Sequence, residues 1–203
     1  MRLFRFPYST NVERVALALA HKGLTVESVE IDPGDRTPVR EVSGQDLVPV
    51  LVDGDRVVAD STRILEYLEE RYPEPPLYPR DPALRAEAAV FIDWFNRVWK
   101  VPPNAIEAEL RGAEPDRAGI DALARELAGS RDVFEGLLTG RDYLLGDFSA
   151  ADCAAFPFLK YAFFDDPADT ELFHRVLVDH LRLDGSYPRL RAWIERMDER
   201  PRA

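Results

Sequence analysis

Two short stretches of this chain, Val48-Pro49 and Asp60-Ser61, carry residue types that could hold a peptide-like ligand. Proline has no N–H for a sheet ladder, so Pro49 belongs at the first residue or the edge of a strand. With a cis Val48–Pro49 bond, the Val48 backbone groups would turn out of the sheet and pair with an extended ligand. Asp60 and Ser61 stand where an amphipathic helix begins. Its unpaired N–H groups and positive dipole end would receive a carboxylate. Taken singly, each feature has a plainer reading, an edge-strand proline and an ordinary helix cap. Together, with only a hairpin between them, they read as one recognition site for a small peptide.

The elements that must position these residues follow from periodicity. Residues 2–6 read as a strand. Val12, Val15, Ala16, Leu19 and Ala20 recur at helical spacing and stop at Gly23. Val26, Val29 and Ile31 fit a second strand, parallel to the first through a right-handed crossover. Residues 36–44 are weakly helical or irregular. Residues 48–52 and 56–59 flank Asp53-Gly54-Asp55 as an antiparallel hairpin. Ile64, Leu65 and Leu68 mark the apolar face of the next helix. This order, close to βαβαββα, predicts a thioredoxin-like α/β domain over residues 1–76.

Prolines then crowd residues 73–82, and residues 77–82 read as a stiff linker. From residue 83 to 203 the pattern is all-α. An aromatic-rich helix is predicted over 83–100, ended by Pro102-Pro103, and further helices over 116–138, from Ser149, and over 169–181 and 187–199. Ser149-Ala150-Ala151-Asp152 has the form of a capping box and reads as a folding signal in the bundle core.

Composition narrows the function. The net charge of −11, from 37 acidic and 26 basic residues, argues against a binder of nucleic-acid backbones, so no nucleic-acid partner is expected. No apolar run approaches about 18 residues, and Met1 to Pro7 has no signal-like stretch, so the expectation is a soluble, cytoplasmic chain with no membrane segment. The single cysteine, Cys153, lies in an apolar run and reads as a small buried side chain. His21, His174 and His180 lack metal-ligand spacing, so no metal site is expected.

At this point the chain resembles the cytosolic glutathione S-transferase family, nearly end to end. Val48-Pro49-Val50-Leu51 is similar to that family's cis-proline motif. Asp60-Ser61 followed by Ile64-Leu65-Glu66-Tyr67-Leu68 is similar to its γ-glutamyl site, Ser149 to Asp152 to its capping box, and Tyr187 to Pro201 to its last helix. The resemblance implies the glutathione transferase fold, a thioredoxin-like N-terminal domain with a C-terminal helical bundle. It also implies a homodimer and glutathione as co-substrate, with no further cofactor.

The implied chemistry is activation of the glutathione thiol, of which only the thiolate attacks. A hydroxyl or amide near the start of the first helix would stabilise that anion by about 1.5–3 kcal/mol, and the helix dipole would add about 0.3–1. Together these lower a thiol pKa by roughly one to three units. Serine-type members place the catalytic hydroxyl five residues before an Arg-Val pair, and Arg14-Val15 puts Ser9 there. The related disulfide-reducing members carry Thr-Pro-Asn-Gly, a register that puts Asn11 on their asparagine. The candidates rank Ser9, Asn11, Tyr8, Thr10. Thr10 stands where both patterns have proline, and Val12 where the second has glycine, so neither pattern is complete.

By the same resemblance, Val48 and Pro49 hold the cysteinyl part, Asp60 and Ser61 the γ-glutamyl end, and Arg36 and Gln45 the glycyl end. A hydrophobic electrophile would lie against Phe6, Trp94, Phe95, Val98 or Trp99. The leading function is transfer of glutathione to such an electrophile. The alternatives are glutathione-dependent reduction of a disulfide or peroxide, and a non-catalytic binding or regulatory protein on the same fold.

Overall fold

Leu3, Phe4, Val50 and Leu51, all buried, sit at the centre of a four-stranded mixed sheet. The computed structural model describes all 203 residues and divides into two units. The first unit comprises Met1–Arg80 together with Arg200–Ala203. Its elements are β1 (Arg2–Arg5), α1 (Thr10–His21), β2 (Glu27–Glu30), α2 (Thr37–Ser43), β3 (Val50–Asp53), β4 (Arg56–Ala59) and α3 (Ser61–Arg71). The sheet order is β2-β1-β3-β4, with β1 parallel to β2 and the other pairs antiparallel. This is a thioredoxin-like arrangement, and the crossover and the hairpin are those that the apolar periodicity predicts.

The apolar stripes bring α1 and α3 against each other, with Val15, Ala18, Leu19, Ile64, Leu65 and Leu68 buried. α1 ends in a Schellman motif. Gly23, at φ +65°, donates to Ala20, and Leu24 donates to Leu19. Below it, the buried Lys22 ammonium donates to Glu69 Oε2 at 2.9 Å and to the Tyr72 and Pro75 carbonyls at 2.6 and 2.9 Å. Glu69 in turn accepts from the Leu77 and Tyr78 N–H groups. The proline-rich stretch is therefore bound into the first unit as far as Tyr78, and Leu77 is fully buried. Residues 77–82, expected as a linker, contain the last buried residues of this unit and the start of the next helix.

The second unit, Asp81–Glu199, is all-helical. It contains α4 (Pro82–Trp94), a π-helical turn (Phe95–Trp99), α5 (Val101–Leu110), α6 (Arg117–Leu137), α7 (Ala150–Leu159), α8 (Leu172–Leu181) and α9 (Pro188–Asp198). Pro102 and Pro103, expected only to end a helix, stand in the first turn of α5. There a missing N–H costs nothing, because the first helical N–H groups have no intrahelical acceptor. Ser149 and Asp152 form the expected capping box. Asp152 is fully buried and accepts from Leu144 N, Ser149 N, Ser149 Oγ and Trp193 Nε1 at 2.9–3.1 Å. Burial pushes its carboxyl up to about 6 even with those four donors. The last four residues, expected in the helical domain, belong to the first unit: Ala203 N–H donates to the Ala16 carbonyl, and Arg202 pairs with Glu13.

Candidate functional site

The sheet register decides where the chemistry-bearing residues meet. Val50 pairs with Phe4 on one side and with Ala59 on the other. The chain just after β1, just before β3 and just after β4 therefore emerges from one end of the sheet. Those three segments carry Tyr8 to Asn11, Val48-Pro49 and Asp60-Ser61. The Val48–Pro49 bond is cis, both residues are buried, and Val48 lies two residues ahead of the first ladder residue of β3.

Two helices start at this end. Ser9 is the N-cap of α1, and its Oγ accepts from Val12 N–H at 3.3 Å. An N-cap serine uses its oxygen on the helix and keeps its O–H proton for another acceptor. Asp60 is the N-cap of α3, with Oδ1 accepting from Thr62 N and Arg63 N at 2.9 and 3.1 Å. The Asp60 carboxylate thus fixes the start of α3. Ser61 is 4% exposed, and its Oγ donates to Asn11 Oδ1 across 3.5 Å. This long hydrogen bond ties the two helix starts together.

Backbone conformation picks out the same place. Tyr8, at φ +62°, and Asp60, at φ +78°, are the only non-glycine residues with positive φ, and each directly precedes one of the two serines. Such conformations cost of order 1–3 kcal/mol and cluster at ligand clamps and active sites. Aspartate is among the residue types enriched at positive φ, whereas nothing in the residue type of Tyr8 signals such a backbone.

The remaining candidates separate. Thr10 is the first residue of α1 and is buried, while Tyr8 is 41% exposed. Arg36 lies over the Phe6 ring, 4.5 Å from its centroid, so these two expected contacts form one stacked pair. Gln45 closes on its own loop: Oε1 accepts from Leu47 N at 2.5 Å, and Nε2 donates to Leu47 O at 2.8 Å and to Ser43 Oγ at 3.1 Å. These bonds shape the segment that leads to Val48. In the helical unit, Phe95 and Trp99 stack at 4.4 Å and pack on Phe134 and Phe158. Both are buried, and Trp99 Nε1 is bonded to Ser130, so neither lines a surface for a co-substrate. They face inward because the apolar side of the helix must cover the bundle core. Trp94 keeps part of its surface, and Val98 is exposed.

A family model of the glutathione S-transferase N-terminal domain matches residues 3–76, and one of the C-terminal domain matches residues 117–196. The chain belongs to the glutathione S-transferase family. It is 42% identical over 90 residues to glutathione S-transferase Z1 of Arabidopsis thaliana, a match covering 42% of this chain and 41% of that protein. It is 32% identical over 165 residues to a stringent starvation protein A homolog of Haemophilus influenzae, covering 78% of this chain and 73% of that protein. Among solved structures, a holo structure of maleyl pyruvate isomerase, a bacterial glutathione S-transferase in Zeta class, superposes with a TM-score of 0.73 at 26% identity, over 98% of this chain and 92% of that one. No helix of the chain is long and apolar enough to cross a membrane.

Proposed function

We propose that this chain binds glutathione at the end of the sheet between α1 and α3 and activates its thiol for attack on an electrophilic, hydrophobic small molecule. The observation that carries the reading is the convergence of two helix starts, with Ser9 capping one, Ser61 opening the other, and Asn11 bonded to Ser61 at 3.5 Å. Ser61 and the N–H groups of α3 receive the γ-glutamyl carboxylate. Val48 pairs through its backbone with the cysteinyl part, which sets the thiol before α1. There the Ser9 hydroxyl donates to the thiolate, and the dipole of a 12-residue helix adds to the stabilisation. The Asn11 amide is a second donor. Its oxygen faces Ser61, so its N–H groups point away from that contact. With no cysteine at this helix start, the thiolate acting on the electrophile is the ligand's own.

The likeness to a stringent starvation protein supports a second reading, a binding or regulatory protein that keeps the site without the transfer reaction. A homodimer and a cytoplasmic location belong to the main proposal. The exposed apolar side chains Leu84, Val90, Val98 and Val101 supply a surface that a second copy would cover.

Ultraviolet difference spectroscopy during a glutathione titration separates these readings. Saturable binding with a thiolate band near neutral pH supports the transferase. Saturable binding without that band supports the regulatory protein, and absence of binding removes glutathione as the ligand.

A further inference from the structure

On the helical unit, a surface cleft of about 350 Å³ opens between the loop after α6 and the exposed side of α9. It is lined by Arg141, Arg189 and Arg196, with Leu138, Asp142 and Ala192 between them. Three guanidinium groups share this small opening in a chain whose net charge is −11. None of these residues belongs to the thiol site.

Each arginine is anchored by a backbone carbonyl. Arg141 Nη1 donates to Leu144 O at 3.3 Å, Arg196 Nη1 to Asp142 O at 2.7 Å, and Arg189 Nε to Glu135 O at 3.0 Å. Two carboxylates lie nearby. Asp142 meets Arg196 Nη2 at 3.2 Å, and Glu135 meets Arg189 Nε at 3.2 Å. Glu135 is already committed, because its two oxygens accept the Arg189 and Leu190 N–H groups at the start of α9. Three cations thus face two carboxylates, one of which is occupied as a helix cap.

A guanidinium has five N–H donors, and these contacts use only one or two on each arginine. Holding like charges together on fixed anchors raises the local potential, which an anion would relieve. The arginine fork matches phosphate oxygens, and the three terminal oxygens of a phosphomonoester provide one for each guanidinium. A lone carboxylate provides two oxygens and a single charge. The cleft also has an apolar share, Leu138 and Ala192, and its volume falls in the range of sites for organic ligands.

We propose that this cleft binds a small organic phosphomonoester, with Arg141, Arg189 and Arg196 on the phosphate and the organic part against Leu138 and Ala192. The test is calorimetric titration of the full chain at low salt with phenyl phosphate, inorganic phosphate and benzoate. Phenyl phosphate is expected to bind saturably and more tightly than either of the other two, with affinity falling as salt rises. Arg141→Gln and Arg196→Gln are each expected to weaken it by about tenfold or more, at unchanged urea midpoint. Three results would overturn the proposal: no saturable binding of phenyl phosphate, binding undiminished in both variants, or equal affinity for benzoate or inorganic phosphate.

Discussion

Two helices of this protein begin with a serine cap, and the two starts have opposite fates. At α7, Ser149 is 2% exposed, and Asp152 collects four donors from the cap, from Leu144 and from Trp193. Every polar group there is turned inward on another, and the result is a knot in the core of the helical unit. At α1, Ser9 accepts one N–H, remains partly exposed, and stands beside an asparagine and a second helix start. The same local chemistry is closed in one case and open in the other. What separates them is whether the fold turns the cap's polar groups onto one another; in the proposed function those at α1 serve the ligand instead.

The sharpest way to break this comparison is to remove the centre of the closed start. Asp152→Ala leaves three buried N–H groups and a hydroxyl without an acceptor and is expected to cost about 3–5 kcal/mol by urea unfolding. A loss under about 1 kcal/mol would show that the knot is not a core element. The second effect concerns pH. A carboxyl that titrates at about 6 in the fold, against a reference of 3.8, binds its proton more tightly when folded. Its contribution is complete below about pH 4 and is lost as pH rises through about 6, a change of about 3 kcal/mol. The stability gap between wild type and Asp152→Asn should therefore narrow by that order from pH 4 to pH 7. Asp169 works in the opposite sense. Burial raises its carboxyl, but bonds from His174 and Tyr161 outweigh that and hold it below the usual range, so its contribution is lost on acidification.

The open start should respond in binding rather than in folding. Ser61→Ala is expected to weaken glutathione by about tenfold to a hundredfold in equilibrium titration, the loss of one charge-assisted bond, while the urea midpoint hardly moves. If stability falls and affinity does not, Ser61 belongs with the closed class. The smallest expected effect is that of Ser9→Ala, about 1 kcal/mol in stability from the lost cap, with the bound thiol's pKa raised by about one to two units. An unchanged thiol pKa in Ser9→Ala together with a raised one in Asn11→Ala would move the catalytic role to Asn11.

Much of this was legible in the chain because it depends on local rules. Gly23 closes α1 through a positive φ that few other residues adopt readily. Ser149 and Asp152 are three apart, as a capping box requires. The Asp53-Gly54-Asp55 turn between the apolar residues of 48–52 and 56–59 marks a hairpin from neighbouring residues alone. Gln45 illustrates the opposite case. Its amide bonds Leu47 and Ser43 of its own loop, partners that only the path of residues 43–47 brings within reach. Phe95 and Trp99 are similar, since an aromatic stripe has the same spacing whether it lines a pocket or fills a core.

Periodicity, caps and turns, each legible within a few residues, set the two-part architecture, the element order and the two serine-led helix starts. Only the packing of distant segments made Asn11 meet Ser61, gave Tyr8 and Asp60 left-handed backbones, locked the proline-rich stretch onto Lys22 and Glu69, and brought Arg141 into one cleft with Arg189 and Arg196 of α9. These are contacts between segments up to 55 residues apart. Their geometry is set by sheet register and helix packing, which no window of neighbouring residues encodes.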